Sequence, residues 1–206
     1  MPVVVVANPK GGVGKSTLAT NIAGYYVSRG HPTVLGDLDR QQSSRLWLGL
    51  RPPAARPLGV WEASADIVTR PPAQATHAVL DTPAGFNGWR FKDVLRLADR
   101  VVVPLQPSVF DIFATKAFLD EVAAARRSDA VRIGLVGVRF DARTHAADQL
   151  RAFIDGLGVP VVGWLRPTQN YVHLAAQGLS VFDVSTSRVE RDLEQWQDIT
   201  PWLDGA

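Results

Sequence analysis

Residues 8–17 read Asn-Pro-Lys-Gly-Gly-Val-Gly-Lys-Ser-Thr, directly after the apolar run Pro2-Val-Val-Val-Val-Ala7. A short β-branched strand entering a glycine loop that opens a helix is the architecture of a phosphate cradle. Gly11, Gly12 and Gly14 carry no Cβ, so the backbone folds tightly and turns its N–H groups onto phosphate oxygens. Lys15 brings a compact charge to the β- and γ-phosphates, and the Ser16 hydroxyl is placed to ligate Mg²⁺. Val13 and Thr17 complete the loop residues expected around the phosphates. The window predicts binding of a nucleoside triphosphate together with Mg²⁺.

Away from this loop, apolar β-branched runs alternate with helical patterns, the signature of a parallel sheet flanked by helices. Strands are expected at 3–7, 33–37, 58–61, 78–81, 101–105, 132–138 and 159–162. Helices are expected at 15–29, 42–48, 89–98, 112–127, 146–157, 170–177 and 189–203. The predicted fold class is α/β, a doubly wound, mostly parallel sheet with helices on both faces. The chain has 206 residues, which suits a single domain with a substantial core. The proline-rich stretches 51–57 and 70–72 are too short to be domain linkers.

Hydrophobic residues make up 46% and charged residues 20% of the chain, which excludes a disordered polymer. There is no cysteine, so disulfides, thiolate metal sites and iron–sulfur clusters are excluded. The start lacks a basic region and its apolar stretch ends at Ala7, so no signal peptide is read, and no run reaches the length of a membrane span. A cytoplasmic location is expected. Net charge is only +2, and arginine dominates the 22 basic residues, a weak pointer to phosphate-bearing partners.

In open α/β sheets, ligands bind at the carboxyl ends of strands, so residues just past strand ends carry the chemistry. The second strand runs into Asp37-Leu38-Asp39-Arg40-Gln41, where alternation points both carboxylates one way. Such a pair can organise Mg²⁺ and an attacking water. A later apolar strand ends at Asp81 and continues Thr82-Pro83-Ala84-Gly85, the position of a Walker B carboxylate beside Ser16.

The loop departs from the common G-x-x-x-x-G-K-[ST] form: Pro9 stands where a glycine is usual, and Lys10 is an additional lysine. A second ammonium is redundant on its own γ-phosphate, but one facing away would reach the phosphates of a neighbouring subunit. This K-G-G-x-G-K-[ST] form resembles the deviant Walker A motif of the ParA/MinD family, ATPases that sandwich two ATP molecules between two subunits. The resemblance implies that Lys10 is the signature lysine contacting the partner's ATP, and that the chain works as a homodimer with ATP. It also implies that Asp39 positions the hydrolytic water, with Asp37 as a catalytic and Mg²⁺-side supporting group and Asp81 on the metal. Family members read D-x-D-P-Q here, and Arg40 replaces the proline.

The resemblance covers nearly the whole chain. Val101–Ser108 is similar to the family's I-P-V-x-P-S segment, after which residues around Asp111 join the dimer face. Gly137–Thr144 is similar to the strand bordering adenine, which implies Phe140 stacked on the base and Arg139 bonded nearby. The segment 163–183 resembles the last landmark, ending G-L-S-V-F-D, and implies Pro167 and Thr168 against the base. Length and loop sequence are similar to the small ParF-like partition proteins. Those relatives ride on nonspecific DNA as ATP-bound dimers, associated with the nucleoid, until a centromere-binding ParB-like adaptor stimulates hydrolysis. Arg143 matches a DNA-contacting arginine, and Arg166 and Arg188 are further candidates. The alternative is the same engine positioning a protein cargo such as a chemoreceptor cluster or compartment. An ATP-dependent ligase of related fold is a lesser reading. Membrane attachment is not expected, because the tail 189–204 is acidic and anionic lipid repels it.

Overall fold

The computed structural model describes residues 1–63, 68–125 and 131–205, side chains at 89, 109–112 and 125 excepted. Seven strands form one parallel sheet: β1 (Val3–Val6), β2 (Thr33–Asp37), β3 (Gly59–Trp61), β4 (His77–Asp81), β5 (Arg100–Leu105), β6 (Arg132–Gly137) and β7 (Val161–Trp164). Their order is β3-β2-β4-β1-β5-β6-β7, and every pairing is parallel. The strand runs are Val-rich and lack polar alternation because both faces are covered.

Alternate residues of β1 point to opposite faces, so Val3 and Val5 enter one core while Val4 and Val6 enter the other. The first core is closed by α3 (Gly88–Leu95), α4 (Val109–Ala125) and α5 (His145–Asp155), through residues such as Phe91, Phe118 and Leu150. The second is closed by α1 (Lys15–Ser28), α7 (Thr186–Trp196) and α8 (Ile199–Asp204), through Leu18, Ile22, Trp196 and Leu203. The short helices α2 (Ser43–Leu50) and α6 (Asn170–Ala175) complete the chain.

Register places the functional strand ends side by side. Val6 of β1 pairs with Asp81 of β4, and Asp81 pairs with Asp37 of β2. The loop after β1 and the two strand-ending carboxylates therefore share one edge. There the connections diverge, β1 lying between β4 and β5, which is the switch point where such sheets bind ligands.

Most expected elements shift by a few residues at their ends, and the larger departures lie in the C-terminal part. The single helix expected at 189–203 is two helices, because Pro201 in the first turn of α8 has no N–H and its ring cannot follow an uninterrupted preceding turn. The helix before that break also starts earlier, at Thr186, and bends at Val189 (φ −131°). The last strand begins two residues late, since Pro160 cannot donate to the ladder. The end of the helix expected at 112–127 lies beyond Ala125, outside the described residues, as does the side chain of Asp111.

Candidate phosphate-loop site

The phosphate loop enters α1 through Gly14, whose φ of 87° belongs to the left-handed region that side chains disfavour. Gly12, at φ 74°, also turns there and has open space where a Cβ would stand, so the cradle is clear. No side chain caps α1, and its first turn carries no acidic residue. The orphan N–H groups and positive dipole end of that helix thus face the loop. Val13 is buried and anchors the loop, while Gly11 and Thr17 are exposed on its rim.

Lys15 is buried, and its Nζ donates to the Lys10 carbonyl at 2.7 Å. Burial lowers its pKa, against the opposing pull of Asp81 and then Asp39. The ammonium is thus held by the loop itself, with two carboxylates within electrostatic reach. Lys10 is half-buried, and its backbone N–H donates to Asn8 Oδ1.

Asp81 is the most confined charge of the site. Its Oδ2 accepts from Ser44 Oγ at 2.7 Å, while Oδ1 is buried without a hydrogen-bond partner. Burial pushes the carboxyl up to about 6, against the lowering effect of the Ser16 and Ser44 hydroxyls. Ser16 is near enough to act electrostatically, although Oδ1 has no hydrogen bond of good geometry. An orphaned buried oxygen beside a helix-start serine is what a cation site requires. Among the described residues there is no cage of three or more His, Cys, Asp or Glu. The donor set therefore fits Mg²⁺, which keeps waters and leans on one or two carboxylates plus phosphates. Ser16 and Asp81 are the residues that would hold it. When bound, the ion neutralises charge on the phosphate oxygens.

Asp37 has a different task from the one expected. Its Oδ1 accepts from Asp39 N, and its Oδ2 accepts from Ser44 N and Arg45 N. With three backbone amides on it, this buried carboxylate caps α2 rather than standing open as a catalytic or Mg²⁺-side group. α2 begins at Ser43, so the unpaired N–H groups of its first turn point at Asp37 and are satisfied there. Burial raises the Asp37 pKa, partly offset by these amides. Asp39 is left half-exposed, with Oδ1 accepting from Gln41 N. Arg40, beside it, is exposed.

On the other side of the loop lies a cavity of about 290 Å³ bordered by Gly14, Thr17, Arg139, Pro167 and Thr168. Larger cavities of about 510 and 580 Å³ share no residue with the phosphate loop. The smaller one sits against the start of α1 and has the place of a nucleoside pocket. Phe140 is not in it. Arg139 adopts φ 51°, turning the chain so that Val138 packs in the α1-side core and Phe140 in the other. Phe140 is buried against Trp164 (4.1 Å between ring centroids) and under Arg151. This corrects the expectation that it stacks on the base.

Arginines expected to meet DNA have mixed fates. Arg166 is tied to fully buried Asp192 at 2.9 Å, so its charge is largely satisfied within the fold. Arg143 is exposed but paired with Asp141 at 2.7 Å. Arg188 is exposed.

Four side chains at the site were not assigned from sequence. Ser44 joins Asp37 and Asp81; Gln106 Nε2 donates to the Gly12 carbonyl at 2.8 Å; Asn8 braces Lys10; and Asp192 anchors the pocket wall. Only Asn8 had a local signal, its place two residues before Lys10. The loop after β4 also closes on the phosphate loop, since Gly85 N donates to the Pro9 carbonyl at 2.8 Å.

The CobQ/CobB/MinD/ParA nucleotide binding domain matches residues 4–181. The maintenance of carboxysome distribution protein A of Halothiobacillus neapolitanus is 27% identical over 188 residues, covering 88% of this chain and 87% of that protein. The chromosome-partitioning ATPase Soj of Thermus thermophilus is 28% identical over 188 residues, covering 72% and 74%. Among solved structures, a plasmid partition protein of Borrelia burgdorferi bound to AMPPNP superposes with a TM-score of 0.72 at 15% identity, over 97% of this chain and 98% of that one. With the phosphate loop, the register of Asp37 and Asp81 and the all-parallel sheet in place, the matched span shows that the chain belongs to the CobQ/CobB/MinD/ParA nucleotide-binding family.

Proposed function

We propose that this chain is a Mg²⁺-dependent ATPase that dimerises around ATP and serves as a switch for DNA segregation. The observation that carries the reading is the division of labour between the two loop lysines. Lys15 is buried and held by its own loop, whereas Lys10 stands at the rim and, among the described residues, is tied through its backbone alone. One ammonium serves the chain's own triphosphate, and the other is available to a twin. ATP binds the dimer in preference to the monomer, so it shifts the population, and hydrolysis reverses the shift. Asp39, half-exposed beside the loop, orients the attacking water. The dimer binds nonspecific DNA, and a centromere-binding ParB-like adaptor stimulates turnover.

ATP, but not ADP, is expected to drive dimerisation in light scattering, and Lys10→Ala to remove that response while nucleotide still binds. A Lys10→Ala protein that dimerises like the parent would refute the cross-subunit role. Asp39→Ala is expected to bind ATP with parental affinity yet lose roughly 100-fold in turnover, the scale of one missing base or water-orienting group. Unchanged turnover would remove the assignment.

The second reading, positioning of a protein cargo by the same engine, is favoured by the likeness to a protein that maintains carboxysome distribution. Retention of ATP-dependent dimerisation without any DNA affinity would select it. Among the described residues no helix is long and apolar enough to cross a membrane. The tail's Trp196 is buried with its Nε1 donating to Tyr171 Oη.

A further inference from the structure

The tripeptide Asn8-Pro9-Lys10 is a junction as well as a loop entry. Asn8 is buried, and both polar atoms of its side chain are engaged. Its Nδ2 donates to the Pro104 carbonyl at 2.7 Å, near the end of β5, and to Thr115 Oγ1 at 3.2 Å, on α4. Its Oδ1 accepts from Lys10 N at 2.8 Å. These partners on β5 and α4 lie 96 and 107 residues away in the chain. The Pro9 carbonyl receives Gly85 N from the loop after β4, and the Lys10 carbonyl receives Lys15 Nζ. Thr115 is fully buried, whereas Phe113, two residues earlier on the same helix, is 67% exposed. One side of α4 grips the phosphate loop while another presents a bare aromatic ring.

A lysine side chain has four rotatable bonds, so its reach is set chiefly by where its backbone is fixed. We propose that Asn8, anchored by Thr115, is a positioning residue that holds the Lys10 backbone in register with the outward face of α4. The lysine and that face, Phe113 included, then meet a second copy of the chain together. The inference rests on the dimerising reading above and names what orients its key residue.

The test separates nucleotide binding from assembly. Asn8→Ala, Thr115→Val and Thr115→Ser are compared with the parent for ATPγS affinity, measured by calorimetry at concentrations where the chain is monomeric. ATPγS-driven dimerisation is then followed by light scattering. Thr115→Val keeps the shape and deletes only the acceptor hydroxyl; Thr115→Ser restores it. Thr115→Val is expected to keep ATPγS affinity within about threefold and to need at least about tenfold more protein to dimerise, because the Lys10 backbone is no longer fixed against α4. Asn8→Ala, which also loosens the carbonyl that holds Lys15, is expected to lose dimerisation at least as far. Thr115→Ser should dimerise like the parent. Parental dimerisation by folded Thr115→Val overturns the proposal, and that variant decides the matter if Asn8→Ala does not fold. So does a joint loss of affinity, dimerisation and thermal stability that Thr115→Ser fails to reverse, since that is a packing defect. A parent that binds ATPγS and stays monomeric overturns the dimer reading itself, and this proposal with it.

Discussion

Asp81 shows how one carboxylate can destabilise the resting protein in the service of its site. Buried almost completely, it keeps one oxygen on Ser44 and leaves the other without a partner. The fold therefore holds its proton more tightly than the unfolded chain does, with the carboxyl pushed up to about 6 from an ordinary 3.8. The sign follows: the native state is favoured below pH 4, and that advantage is lost as pH rises to 6 and above. Asp81→Asn removes the penalty, so without nucleotide it is expected to exceed the parent at pH 7.5 by roughly 2–3 kcal/mol, at 1.36 kcal/mol per pKa unit. The two should converge near pH 4 in thermal unfolding, and equal stability at both pH values would refute the argument. Such a gain at the cost of a functional group is the usual stability–activity exchange.

Helix α1 owes its seat to the loop 178–183 as much as to the sheet. A Cβ at Gly24 would overlap the Ser180 hydroxyl, so only glycine admits the loop there. Asn21 Oδ1 accepts Val181 N, and Ser180 Oγ donates to Asp183. Arg51, at the end of α2, closes the arrangement on Asp183 at 2.6 Å with both side chains 5% exposed. Burial alone would push Asp183 up, yet the Arg51 guanidinium and the Ser180 donors outweigh it and hold the carboxyl below its ordinary range. Removing one partner leaves a buried charge uncompensated, so Arg51→Ala is expected to cost about 3–5 kcal/mol. For a chain of this size that is a fall of roughly 10 °C in melting temperature. The double variant with Asp183→Ala should lose less than the sum of the two single changes, and strict additivity in that cycle would show the pair to be uncoupled.

For the whole molecule, with a net charge of +2, the proposed DNA binding would rest on a few placed arginines rather than on overall charge. Arg143 is an exposed candidate, although its ion pair with Asp141 must open to reach a phosphate. Arg143→Ala is expected to weaken ATP-dependent DNA binding and to lower the slope of log affinity against log salt by about 1 per chain. Asp141→Asn, which frees the arginine, should strengthen it; an unchanged slope in both would place the DNA elsewhere. The phosphate loop, the strand-ending Asp81 and the α/β class were legible from residue order, because a cradle and the strand edge beside it are built from consecutive residues. The same local reasoning misjudged residues whose task depends on a distant neighbour. Asp37 was met by the start of α2, Phe140 was turned into the far core by the left-handed Arg139, and Arg166 was claimed by Asp192. Ser44 and the partners of Asn8 had no signal at all, since nothing in a linear pattern says which helix docks on which strand end. By itself the sequence determined the backbone that can hold a phosphate. Only the tertiary structure decided which side chains remain free to act there, because burial and hydrogen-bond satisfaction are properties of packed neighbours.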